Sequence, residues 1–194
     1  MANHRSERNE LAGILLAVAA VMIVGSIVFA QTNYHGYNLE NNYISDLGVG
    51  STAPIFNTAM VAFGLLIIAA SIVLHLARYK HVALAFTLAG IGAIGVGVFP
   101  ETTGIYHIVS AALTFLSVSA AALFFFKIYE RPLAYYSLAS GLVGVFVVVL
   151  FVLNLAAGTS FTFGIGKGGI EEILFYNEVI WAFIAGYKIS GFRY

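Results

Sequence analysis

The chain has 194 residues, of which 60% are hydrophobic and only 9% charged, and its mean hydropathy is +0.93. A soluble domain carries nearer about 25% charged residues, so a water-solvated globule is excluded. A formal net charge of zero leaves no electrostatic footprint for nucleic acid, and the absence of cysteine excludes disulfides, thiolate metal sites and cysteine nucleophiles.

Six long apolar runs follow one another, at 11–30, 56–76, 82–99, 105–126, 137–157 and 170–189. Each is about as long as a helix needs to cross a hydrocarbon core of roughly 30 Å at about 1.5 Å per residue. In lipid every backbone polar group must be satisfied within its own segment, so the runs are predicted to be helices. The expected fold is an all-α integral membrane protein, a single six-helix antiparallel transmembrane bundle over residues 1–194.

The first run follows Arg5 and Arg8 and ends in Val28-Phe29-Ala30, which has the small-residue look of a cleavage site. Its apolar stretch is too long for a typical signal-peptide core, and a retained helix is expected. The second run places Asn57, Gly64, Ser71 and His75 on one face. In the third, Ala89, Ala93 and Gly97 recur every four residues, a spacing that lets helix backbones approach closely in lipid. That helix is expected near the bundle centre. The fourth carries His107, Ser110, Thr114, Ser117 and Ala121 on one face, which should look toward protein. The short connections around Ala77–His81 and Lys127–Tyr136 force antiparallel neighbours.

Eight of the nine Lys and Arg residues (Arg5, Arg8, Arg78, Lys80, Lys127, Arg131, Lys188 and Arg193) fall in the two end segments and the alternate connections that share one side, and Lys167 alone falls opposite. The positive-inside rule then predicts a cell-membrane protein with both termini in the cytoplasm. The other side is acidic: Glu40, Asp46, Glu101, Glu171, Glu172 and Glu178 face Lys167, with His107 and the amides Asn57, Asn154 and Asn177 at similar levels. The long outward loop from Gln31 to Ile55 holds Tyr34, Tyr37 and Tyr43, residues suited to the headgroup region.

Glu178 lies about 12 Å along its helix from the outer end. No Lys or Arg stands at its depth, so its carboxyl is expected to be protonated with an amide partner such as Asn154, paired with a histidine, or bound to a cation. Glu171 shares its face, and Glu172 sits about 100° round the helix. Pro100-Glu101 opens a tight turn that brings Glu101 near His107, where a carboxylate would orient the imidazole; a structural cap reads that turn equally well. Ser45-Asp46-Leu47-Gly48 reads as a turn or helix cap.

Asn42-Tyr-Ile-Ser-Asp-Leu-Gly48, Phe99-Pro-Glu101 with His107 following, and Gly169-Ile-Glu-Glu172 together resemble domain of unknown function 998, a family of six-span prokaryotic membrane proteins, over essentially the whole chain. The Ile-Ser-Asp-Leu-Gly element with His107 is also similar, more distantly, to the Frag/DRAM/Sfk family, some of whose members are linked to lipid or GPI-anchor handling. The first resemblance implies the topology and picks out Asp46, Glu101, His107 and Glu171. Here Glu171 is followed by Glu172 where the family commonly has Arg, which makes the site more acidic.

These residues support an outward-facing polar site for lipids or lipid-linked headgroups, with Ser45, Asp46, Asn57, His107, Glu171 and Glu178 as ligand-binding candidates. A catalytic version would use His107 as general base with Asp46 or Glu101 orienting it. A divalent cation, if one is held, would take Asp46, His107 and Glu171, a set that suits Mg²⁺, Ca²⁺ or Mn²⁺ better than Zn²⁺. Haem is not expected, because His75 and His107 lie at opposite membrane levels. The alternatives are an accessory subunit in a larger membrane complex with protein partners, and a small proton- or cation-coupled transporter using Glu178.

Overall fold

The computed structural model describes residues 2–77 and 79–191; of Ala2, Asn3 and Arg5 the backbone alone is described. Arg78 and Arg193, used above to orient the chain, lie outside the described residues. Among the described residues there are six α-helices and no strand: α1 (Ala2–Asn33), α2 (Ala53–Leu76), α3 (Lys80–Val98), α4 (Ile105–Phe126), α5 (Leu133–Ala157) and α6 (Gly166–Ser190). Three short 3-10 turns, Ser45–Gly48, Gly50–Thr52 and Glu101–Thr103, lie in the connections. Each helix matches one apolar run, but α1 extends nine residues further toward the N-terminus than its run, through His4, Glu7 and Arg8. Five helices, α1 to α5, are long and apolar enough to cross a membrane, and the chain is a multi-pass membrane protein.

Consecutive helices pack antiparallel, and α6 returns to α1, so the six form a ring. Glycines set the closest approaches. A Cβ at Gly64 would lie 2.5 Å from the Gly90 carbonyl on α3, and one at Gly97 would lie 2.5 Å from the Asn57 carbonyl on α2. Gly92 and Gly95 meet Thr114 and Ser110 of α4 in the same way. The small-residue stripe of α3 is buried as expected, with Ala89 and Ala93 at 1% and 0% exposure, and α3 is the most buried of the five apolar helices. At the α1–α6 contact, Gly13 faces Gly186 and Ser190, while Gln31 at the other end of α1 donates to Glu172 at 2.6 Å. The two helices therefore run side by side over most of their length.

The polar stripes behave differently. On α4, His107, Thr114, Ser117 and Ala121 are buried. On α2, Gly64 and Ser71 are buried, with Ser71 Oγ 2.9 Å from Thr87 Oγ1, but His75 emerges on the exposed surface. The core between α3, α4 and α6 is aromatic: Trp181 stacks on Phe86 and meets Phe125 edge-on, and its indole N–H donates to Ser137 Oγ at 2.9 Å.

Candidate functional site

The Gln31–Ile55 connection is strapped across one end of the ring by the start of α6. Gly166 has a φ of +80°, which favours glycine, and a Cβ there would sit 2.4 Å from Glu40 Cα. The amides of Gly168 and Gly169 donate to the Leu39 carbonyl at 3.0 and 3.2 Å, so orphan N–H groups of the helix start are capped by the loop. A Cβ at Gly168 would fall 1.9 Å from the Asn42 carbonyl oxygen, so the strap can close only over glycine. One turn further along α6, Glu171 accepts the Ile44 amide through Oε2. Glu172 faces Gln31, and the Lys167 ammonium lies over the Tyr43 ring at 4.5 Å from its centroid.

This strap fixes the Ser45–Gly48 turn. Asp46 Oδ2 accepts the Tyr43 amide at 3.1 Å and the Asn42 side chain at 3.0 Å. Asn57 on α2 donates to the Gly48 carbonyl at 3.1 Å and so holds the same turn from beneath. Glu101 reaches across from its own turn to Ser45 Oγ at 3.5 Å and hydrogen-bonds the Asp46 carboxyl. Burial, and then the neighbouring Asp46 carboxyl, push Glu101 up to about 7. Burial also works to raise Asp46, but its hydrogen bonds from Glu101 and Asn42, with Lys167 nearby, outweigh it and leave Asp46 below its ordinary value. The two carboxyls thus share one proton, with Glu101 as its holder.

Beneath the turn lies a largely apolar cavity of about 60 Å³, set within about 710 Å³ of unfilled space that includes the part open to the outside. α1, α2, α3, α4 and α6 line it, and α5 does not. Along α2 it runs from Phe56 to Ile67, about 16 Å at the helical rise. Four of the candidate residues, Ser45, His107, Glu171 and Glu178, are among its lining. His107 is 6% exposed, and its Nδ1 lies 2.8 Å from the Phe99 carbonyl. A carbonyl can only accept, so Nδ1 carries the proton. Glu178 is 4% exposed and accepts from Ser119 Oγ at 2.7 Å through Oε1.

Four expectations from the sequence need correcting. His107 is oriented by the Phe99 carbonyl and not by Asp46 or Glu101, because the turn aims the Glu101 carboxyl back at Asp46 and Ser45. Glu178 takes its hydrogen bond from Ser119, whereas Asn154 caps the end of α5 through the Phe161 backbone and Thr159. Asp46, Glu101 and Asn57 brace the turn and do not line the cavity. Among the described residues no three His, Asp or Glu side chains are grouped to hold a metal ion, so Asp46, His107 and Glu171 do not form a cation site here. Sequence reading did not pair Ser119 with Glu178, and the signal was its place on the inward side of α4. It also passed over Gly166 and Gly168, whose Gly-x-Gly-Gly spacing before an apolar run marked a close backbone approach.

Residues 16–188 match a family described as "Protein of unknown function (DUF998)". The chain belongs to this family. No curated protein and no solved structure matches it. The Asp46–Glu101 brace, His107 and Glu171 all fall inside the matched span, so the assignment of roles within this family member rests on the geometry above.

Proposed function

We propose that the chain is a six-span protein of the cell membrane, one domain with both termini cytoplasmic, that holds a lipid-like molecule beneath its outer face. The observation that carries this reading is the cavity itself: a largely apolar space inside the ring with five polar side chains, Ser45, His107, Thr114, Glu171 and Glu178, in its wall. A ligand site is characteristically concave and mostly apolar, with a few placed polar groups. In a bilayer, the molecules that enter such a space are those with an apolar chain and a polar end. The reading is one of binding: Asp46 and Glu101, the carboxyls expected to orient His107, engage each other and Ser45 instead, and His107 is held by the Phe99 carbonyl.

The test is lipid mass spectrometry on protein reconstituted in nanodiscs. The expected result is one amphiphile enriched over the bulk lipid in the wild-type protein and depleted in His107→Ala. Identical profiles in both, each matching the bulk lipid, would overturn the reading.

A further inference from the structure

The hydrogen-bonding state of the cavity wall narrows the ligand, on the reading that the cavity binds an amphiphile. His107 has given its Nδ1 proton to the Phe99 carbonyl, so in the neutral ring Nε2 offers only a lone pair. That atom has no partner among the described residues, although the side chain is nine-tenths buried and lines the cavity. Thr114, also in the wall, donates its hydroxyl proton to the Ser110 carbonyl at 2.9 Å. Ser45 directs its hydroxyl toward Glu101. Ser119 spends its proton on Glu178. Glu171 adds carboxyl oxygens already engaged by the Ile44 amide. The hydroxyl and imidazole protons of the wall residues Ser45, Thr114 and His107 are therefore committed, and what these three have left to offer is lone pairs.

The charges point the same way. No Lys or Arg lines the cavity, and Lys167 is the one Lys or Arg in the connections at this end of the ring. Asp46, Glu101, Glu171 and Glu172 surround the Ser45–Gly48 turn and the start of α6. An anionic head would find no Lys or Arg in the wall to receive it. A head that donates hydrogen bonds would satisfy His107 Nε2. Leaving such buried acceptors unmet is unfavourable, and that penalty discriminates between heads.

We infer that the cavity selects a long-chain amphiphile whose head donates hydrogen bonds and bears no negative charge, a long-chain amine or alcohol, over one ending in a carboxylate or phosphate. The apolar wall, with Phe56, Met60, Phe63, Ile67 and Phe86, takes the hydrocarbon chain.

The experiment uses the full chain in nanodiscs with a diazirine-bearing hexadecanol as photolabel and peptide mapping of the adducts. Hexadecylamine, hexadecanol, hexadecanoate and hexadecyl phosphate serve as competitors. The expected result is labelling within 56–67, 107–118 and 171–182. The amine or the alcohol should compete at a mole fraction at least tenfold lower than the carboxylate or phosphate, and the better of the two identifies the head. Equal or stronger competition by the carboxylate or phosphate would overturn this inference while leaving amphiphile binding intact. Absence of label from all three segments, without competitor, would overturn the binding reading itself.

Discussion

Replacing Gly168 with alanine should open the strap across the cavity. The added Cβ would lie 1.9 Å from the Asn42 carbonyl oxygen and 3.0 Å from the Leu39 oxygen. The loop must therefore retreat by about 1 Å to restore even a 3.0 Å contact. That movement stretches the Gly168 and Gly169 amide bonds to Leu39, now 3.0 and 3.2 Å, and the 3.4 Å bond from Lys167 to Glu40. The Ile44–Glu171 bond stands one turn further on. At about 1 kcal/mol net for each bond, losing two to four of them destabilises the strap by about 2–4 kcal/mol. Gly169→Ala is the internal control. Its Cβ would meet nothing nearer than 3.5 Å, and it carries the same helix-propensity gain of up to about 1 kcal/mol. Amide hydrogen exchange over residues 38–46 reads the outcome. Relative to Gly169→Ala, exchange should accelerate by about 30- to 700-fold in Gly168→Ala. Equal protection in the two variants would refute the argument that glycine is required for this contact.

Two further outcomes follow from the buried carboxyls. Glu101 is raised from an ordinary 4.5 to about 7, so the folded state keeps its proton longer than the unfolded state does. The contribution of Glu101 to stability should then fall as pH rises from 4.5 to about 7 and level off above it, while the lowered Asp46 acts in the opposite sense and only below its ordinary 3.8. Melting in nanodiscs between pH 5 and 7.5 should show this fall, with a shallower slope in Glu101→Gln; an unchanged slope would refute the shared proton. Ser119→Ala strips Glu178 of its donor and should destabilise by about 1–3 kcal/mol. Gly144→Ala drives a Cβ to 2.1 Å from Ser119 Oγ and should destabilise further, but the double variant should lose less than the sum, because the struck atom is gone. Strict additivity in denaturant unfolding would show that the two residues do not meet.

The helices were legible because a bilayer leaves a segment few options: an apolar run of membrane-spanning length is a helix. Where the chain leaves that constraint, reading was poorer. The first nine residues of α1 are polar and still helical, and apolar length carries no signal for them. Within the site, membership was easier to read than partnership. Glu171 and Glu178 line one cavity because seven residues return a helix to nearly the same face. The direction of Glu101 depends on the Pro100–Gly104 turn, where Gly104 has a φ of +61°, and such a turn can aim a carboxyl at either neighbour. His107 shows the same limit. Its partner is a backbone carbonyl, which every residue owns and no side-chain pattern reveals.

The sixth helix is where composition and packing disagree, and packing is the better guide. α6 is not counted among the long apolar helices, since Lys167, Glu171, Glu172, Glu178 and Lys188 depress its hydropathy. Yet those acids are spoken for: Glu171 by the Ile44 amide, Glu172 by Gln31 and Glu178 by Ser119. Its 25 residues extend about 37 Å, enough to cross a hydrocarbon core of about 30 Å. It also lies antiparallel to α1, from Gln31–Glu172 at one end to Gly13–Gly186 at the other. On the proposed six-span reading, a helix packed along a crossing neighbour in this way crosses with it. Six crossings put the two ends of the chain on the same side of the membrane, whereas five would put them on opposite sides. Compartment-specific reporters fused in turn to each end should therefore report one compartment, the cytoplasm. Reporters that place the ends in different compartments would mean that α6 does not cross, and the wall that Glu171, Phe175 and Glu178 give the cavity would then need another arrangement.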